Sequence, residues 1–228
     1  MLLKTENAGK RFFRKTGEAN YFYAVRPVSL EIEPGKLTAL TGRSGSGKTT
    51  LLHMLSGLLT PSEGRVLLDD KDLYTLDDRA LSRLRNDAFG VIPQGRSAID
   101  TLTVMENVVL PGALYGAADR EASACQWMER LGVSHLADAY PAELSGGELR
   151  RMAVARALAG DPGVILADEP TGDLDDENTL LVLSALRQAA DQGKAVFLVT
   201  HESAALPFAD RAFRMDGGVL TEMEAQKE

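Results

Sequence analysis

The sequence predicts an α/β fold. A mostly parallel sheet is covered by helices, a small antiparallel β-subdomain precedes it, and a helical lobe is inserted into it. Three observations lead there. Short apolar runs alternate with longer amphipathic ones along most of the chain, the pattern of strands joined by helical crossovers. The first thirty residues instead scatter aromatics among turn formers. The stretch from Thr101 to Pro141 holds helical patterns and no strand.

Leu37 to Thr41, Val66 to Leu68, Phe89 to Ile92, Val164 to Ala167 and Ala195 to Thr200 read as strands. Each is short, apolar and bounded by Gly, Pro or charge, as expected of strands buried on both faces. Thr49 to Leu59, Leu76 to Asn86, Arg120 to Leu131, Gly147 to Ala159 and Asp176 to Gln192 carry helical periodicity. Thr103 and Glu106 fit a capping box at the head of a further helix, with Thr103 as N-cap and the acid three residues on. At the amino end, Phe12, Phe13, Tyr21, Phe22, Tyr23 and Val25 suggest the antiparallel sheet. The expected organisation is one domain over 1–228, with about 1–93 and 160–228 as core and β-subdomain and about 94–159 as the helical lobe. The charged tail after Thr221 is expected to fray.

Composition sets limits. The 228 residues carry 25 Lys and Arg against 33 Asp and Glu, a net charge of −8. Such a surface argues against nucleic acid or anionic lipid as a broad partner. A single cysteine, Cys125, excludes an internal disulfide and suits a reducing compartment. Met1 to Glu6 lacks the basic-then-apolar pattern of a secretory signal. No apolar run approaches the roughly 20 residues that span a bilayer. The expectation is a soluble, cytoplasmic protein.

The first chemical motif is Gly42-Arg43-Ser44-Gly45-Ser46-Gly47-Lys48-Thr49, followed by Thr50. It fits the phosphate-binding P-loop, G-x-x-x-x-G-K-[ST], in the expected setting between a strand and a helix. Glycines let the backbone curl so that successive N–H groups share one concavity, and the helix N-terminus adds partial positive charge. Lys48 then reaches the β- and γ-phosphates, and the Thr49 hydroxyl suits Mg2+. Average residue usage matches this pattern by chance about once in a hundred chains of this length, so the flanking strand and helix decide in its favour.

A Mg2+–nucleotide site needs a carboxylate facing Thr49. Val164 to Ala167 runs into Asp168 and Glu169, which puts Asp168 in that role. Glu169, where the strand gives way to a loop, suits a general base for an attacking water. Two acids after a strand are ordinarily a solvated strand end, and the P-loop reverses those odds. A further motif, Leu144-Ser145-Gly146-Gly147-Glu148, precedes a strongly patterned helix. A Ser hydroxyl and Gly N–H groups at a helix N-terminus make a second anion site. On its own it could be a flexible helix cap.

With these motifs the chain resembles the ATP-binding subunit of ABC transporters over nearly its whole length. The order matches: P-loop at Gly42, glutamine loop at Gln94, the Leu144 signature, the Asp168–Glu169 pair, the Gly172-Asp173-Leu174-Asp175 loop and a switch histidine, His201. Singly, Gln94 could be a surface residue, Asp175 a helix N-cap and His201 a helix start. The subgroup resemblance is to small ATPases that pair with lipoprotein-releasing, macrolide-exporting, antimicrobial-peptide-resistance or cell-division permeases. Ala167 to Asp175 and Leu102 to Val108 carry it.

The resemblance implies a P-loop NTPase core of RecA-like type and ATP hydrolysis with Mg2+. It implies Glu169, His201 and Gln94 as catalytic residues, and Thr49, Gln94 and Asp168 around the metal. Two copies are expected to close head to tail around two ATP, with Ser145, Gly146, Gly147 and Asp175 reaching the partner's nucleotide. A separate membrane permease would hold the pair at the inner face of the cell membrane, and the subgroup leans to export or extraction. A groove near Arg96 to Val108 would receive a short permease helix. Three features depart from the family pattern: Pro93 with Gly95-Arg96-Ser97 around Gln94, Arg43 in the P-loop, and Phe where the adenine-stacking aromatic is usually Tyr. Phe12 or Phe13 would stack, with Tyr21 or Tyr23 if the loop folds back. A soluble ABC ATPase without a permease, of iron–sulfur assembly type, and a non-catalytic nucleotide-gated module are the alternatives.

Overall fold

A computed structural model describes residues 1–13, 21–114 and 121–223. In chain order the elements are β1 (Leu3–Phe13), β2 (Tyr21–Ile32), β3 (Leu37–Thr41), α1 (Lys48–Leu55), β4 (Glu63–Leu68), the short β5 (Lys71–Asp72), α2 (Asp78–Ala88) and β6 (Phe89–Ile92). Three helices follow, α3 (Val104–Leu114), α4 (Glu121–Arg130) and α5 (Gly146–Ala159). The chain then returns through β7 (Val164–Asp168), α6 (Asp176–Asp191), β8 (Ala195–Val199), β9 (Arg211–Asp216) and β10 (Val219–Glu222).

Two sheets result. The larger has the order β10-β9-β3-β8-β7-β6 and is parallel except for its β9–β10 edge hairpin. The smaller, β2-β1-β4-β5, is antiparallel throughout. The antiparallel sheet expected of the amino end therefore recruits Glu63–Leu68 as well. The run Val66 to Leu68 is a strand, but it pairs with β1 and not with the parallel strands. The β9–β10 hairpin follows no pattern that marks it as a strand pair in the sequence. Burial alternates along β9, and the buried apolar residues of the hairpin, Phe213 and Met215, are too few to stand out in the sequence.

Side-chain alternation along the parallel strands divides the core in two. Val164 and Leu166 of β7, with Phe197 and Val199 of β8, face a cluster that includes Leu51 and Leu55 of α1 and Leu30 and Ile32 of β2. Ile165, Ala167, Val196 and Leu198 face the opposite way, into a cluster with Val154 and Leu158 of α5, Leu183 and Leu186 of α6, and Met128 of α4. Both faces are covered, which is why these strands read as unbroken apolar runs.

Helix ends follow local chemistry. α1 stops at Leu55, short of the expected Leu59, because Ser56 caps it and Gly57 turns at φ +71°. The Thr103–Glu106 capping box forms: the Thr103 amide donates to the Glu106 carboxylate at 2.7 Å, and the Glu106 amide donates to the Thr103 hydroxyl at 3.2 Å. Asn107, fully buried, donates to the carbonyls of Ile99, Leu102 and Thr103, tying the loop after β6 to the start of α3. Residue 120, expected to open the next helix, and residues 224–228 of the tail lie outside the described residues. Glu222, which the expected fraying included, is paired with Phe213. Among the described residues no helix is long and apolar enough to cross a membrane.

Candidate nucleotide site

Parallel strands deliver their carboxyl ends to one edge, where the loops of an α/β sheet hold ligands. Here β3 ends in the P-loop, β6 leads to Gln94, β7 ends at Asp168 and Glu169, and β8 leads to His201. The motifs span 160 positions in the sequence, and the parallel packing of these strands in one sheet gathers them.

The P-loop is built by close approach. Gly47 adopts φ +111°, and a Cβ there would run into the Ala24 carbonyl oxygen of β2. A Cβ on Gly42, at φ +152°, would strike the Met215 carbonyl of β9. No other residue fits either place. The β9–β10 turn completes the brace: the Gly218 amide donates to the Ser46 carbonyl at 2.9 Å, and the Arg26 amide donates to the Gly218 carbonyl at 2.8 Å. Lys48 is buried, and its ammonium donates to the Gly42 and Arg43 carbonyls at 2.8 and 3.1 Å.

Asp168 continues the β7 alternation. Val164 and Leu166 face α1, so Asp168 does too, which turns it toward Thr49. Its residue is 2% exposed, and no well-aligned hydrogen bond reaches either carboxylate oxygen. Burial pushes its pKa above the usual carboxylate value, and the nearby Glu169 charge adds to the rise. The Thr49 hydroxyl, His53 and Lys48 pull the other way. Orphaned carboxylate oxygens beside a hydroxyl fit a hard cation whose other ligands come from phosphates, the manner in which Mg2+ is commonly held. Among the described residues no group of three or more His, Cys, Asp and Glu makes a metal cage.

Glu169 sits at φ +48°, a left-handed conformation unusual for a non-glycine residue. Its amide donates to the Val199 carbonyl at 2.8 Å, so the β8 edge holds it in place. Its carboxylate meets two residues from other loops. The Gln94 amide donates to Oε2 at 3.4 Å, and His201 Nδ1 lies 3.3 Å from Oε1. Gln94 is positioned from α5: the Arg150 guanidinium donates to the Pro93 carbonyl at 3.2 Å, and Arg156 donates to the carbonyl and hydroxyl of Ser97. The unusual Gly95-Arg96-Ser97 run thus gives α5 a grip on the glutamine loop.

Gln94 and Glu169, but not Asp168 or His201, border a cleft of about 590 Å³. Ser44 through Thr50 form its floor, with Gln94 and Glu169 on one wall. Gly42 and Arg43 are not on its surface; their carbonyls hold Lys48 instead. The opposite wall is Phe12, Phe22 and Tyr23. Phe12 and Phe22 are cross-strand partners with ring centroids 6.1 Å apart. Phe13 and Tyr21 do not line the cleft, and Phe13 is 86% exposed. Phe22, Ala24, Gly217 and Gly218 also line the cleft, and none belongs to a sequence motif. Only the β1–β2 register could have revealed Phe22, and nothing local marks the glycines.

Ser145, Gly146, Gly147 and Asp175 lie outside this cleft. Ser145 is an exposed N-cap of α5 in a capping box with Glu148. Asp175 caps α6 by accepting from the Asn178 amide at 2.8 Å, and that contact holds its carboxyl below the usual range. The two caps are neighbours, since a Cβ on Gly147 would lie 3.2 Å from Leu174.

The profile of the ABC transporter family matches residues 25–172. The chain belongs to this family. A lipoprotein-releasing system ATP-binding protein LolD from Pseudomonas syringae is 41% identical over 198 residues, covering 86% of this chain and 87% of the relative. The ABC transporter ATP-binding protein YtrE of Bacillus subtilis is 37% identical, with 90% of each chain covered. The dimeric post-hydrolysis structure of the ATP-binding cassette MJ0796 with ADP and Pi superposes at a TM-score of 0.90, with 34% identity, over 99% of this chain and all of that one. This ABC ATPase therefore has the cassette fold and binds ATP, and the expectation of a P-loop core with a small antiparallel sheet holds.

Proposed function

We propose that this ABC ATPase hydrolyses Mg-ATP between two copies of itself and drives a separate membrane permease, of the export or extraction type. One observation carries the hydrolytic reading. Glu169 lies over the P-loop cleft with its carboxylate between Gln94 and His201. LolD and YtrE, matched over most of their length, support the permease and a place at the inner face of the membrane. A soluble ATPase acting without a permease lacks such support.

In this reading the P-loop amides and Lys48 bind the triphosphate, and Phe12 with Phe22 stacks on the adenine. Lys48 exchanges its carbonyl partners for phosphate oxygens. Thr49, Asp168 and Gln94 would hold Mg2+, which would supply charge neutralisation at the phosphates. Glu169 takes the proton of the attacking water. His201, beside it, contacts the γ-phosphate. Ser145, Gly146 and Gly147 of the second copy close the nucleotide from the other side, and Asp175 crosses beside the partner's P-loop. Their place outside the cleft of their own chain supports a role in trans. The helices within about 94–159 move as a lobe that passes the state of Gln94 to the permease, with Arg150 and Arg156 as the link. The decisive experiment reconstitutes the chain with candidate membrane permeases and measures phosphate release. Turnover that rises with the permease supports the reading, and failure to bind any permease points to the soluble alternative.

A further inference from the structure

β7 and β8 are neighbours in the sheet, and their ladder ends with Asp168 opposite Val199. Beyond that rung the chains diverge into the loops that carry Glu169 and His201. One backbone bond, Glu169 to Val199, lies at the boundary. Past it, a side-chain contact rejoins the loops. The Thr171 hydroxyl donates to Glu202 Oε2 at 2.6 Å. Thr171 is 1% exposed, and the Glu202 amide in turn donates to the Thr200 hydroxyl at 3.0 Å. The Gly172 amide closes a turn onto the Glu169 carbonyl at 3.2 Å. Glu202 adjoins His201, and Thr171 is two residues from Glu169, so the contact brackets the 3.3 Å approach of His201 to the carboxylate.

We propose that Thr171 and Glu202 are positioning residues whose hydrogen bond sets the Glu169–His201 geometry for hydrolysis. A hydroxyl donating to a carboxylate is a short, charge-assisted bond. Burial of Thr171 shields it from water and restricts its rotamer. The bond adds a rigid rung where the sheet stops, which matters because sub-ångström placement of reacting groups governs rate. Neither residue touches the cleft, so each acts through its neighbour. The proposal rests on the reading of Glu169 as proton acceptor.

The test is steady-state ATP hydrolysis by the full chain, with ATP binding measured alongside. Thr171→Val keeps the shape and removes the hydroxyl; Glu202→Ala removes the acceptor from a half-buried site and serves if the valine variant does not fold. Both are expected to lower kcat about tenfold and leave KM for ATP within about twofold. Thr171→Ser, which restores the donor, should recover kcat to within about twofold. Combined with His201→Ala, either change should cost less than the two single effects multiplied, since coupled groups are not additive. Unchanged kcat in both variants would overturn the proposal. So would a serine variant as impaired as the valine one, or full additivity with His201→Ala. Glu169→Gln separates the layers. If it is inactive while the Thr171 and Glu202 variants turn over normally, the positioning role alone fails. If it turns over like wild type, the reading of Glu169 fails and takes the positioning role with it.

Discussion

The Gln94 side chain donates to the Glu169 carboxylate across 3.4 Å, though 75 positions separate them in the chain. The contact joins the loop after β6 to the residue after β7, and these strands pair in parallel from Phe89–Val164 to Ile92–Ala167. In the proposed function, the group assigned to the metal therefore touches the group assigned to activate water.

Lys48→Ala should abolish ATP-driven turnover. Lys48 alone brings a full positive charge to the phosphates, while the loop amides supply partial ones. Loss of one charge-assisted contact in a closed site costs ~2–4 kcal/mol, or roughly 30- to 900-fold in rate. Phosphate release within threefold of wild type would contradict the assignment.

Ser145→Arg should block hydrolysis and leave ATP binding by the single chain nearly intact, because Ser145 lies outside its own chain's cleft. Fluorescence titration of the monomer reads the affinity. A loss as large as that of Lys48→Ala would remove the role in trans.

Glu169→Gln should slow hydrolysis by roughly 10²–10⁴, the usual contribution of a general base, and preserve nucleotide binding. A ligand bound only in the dimer stabilises the dimer, so with Mg-ATP the variant should elute near twice 24.6 kDa while wild type returns to monomer. The same run with the permease present, which raises effective concentration, controls for weak self-association. Wild-type turnover in this variant would mean that another group activates the water.

Asp168→Asn should stabilise the nucleotide-free protein and abolish metal-dependent turnover. The folded state holds the Asp168 proton more tightly than the unfolded chain, because burial raises its pKa. Ionised Asp168 is therefore a cost to folding at neutral pH, and the cost fades as pH falls through the raised pKa toward the ordinary carboxylate value. Relief of an unpartnered buried group is worth about 1 kcal/mol, or roughly 2–4 °C in Tm for a domain of this size. Thermal melts at pH 7 and near pH 4.5, without nucleotide or metal, should show the gain shrinking at the lower pH. A lower melting temperature for the asparagine variant at pH 7 would refute the prediction.

Much of the site was already legible in one dimension. The P-loop, the Asp168–Glu169 pair and the Ser145 helix cap are local motifs, complete within eight residues or fewer, and their chemistry follows from residue type and spacing. The strands Leu37–Thr41 and Phe89–Ile92 coincide with the runs read as strands, since most of their positions are buried between the covering layers. The facing of Asp168 toward α1 likewise follows from period-two alternation along β7.

Contacts between distant segments needed the folded chain. Pairing of Glu63–Leu68 with β1, the β9–β10 turn bracing the P-loop, and Phe22 beside Phe12 depend on registers that no local pattern encodes. The same holds for Thr171 and Glu202, each unremarkable in its own neighbourhood. Secondary structure and phosphate-binding loops arise from neighbours a few residues apart, whose preferences are written into the sequence. Which strand lies beside which is decided by the shared burial of two apolar layers, a property of the whole chain. Only that packing brings Gln94, Glu169 and His201 to one edge of the sheet.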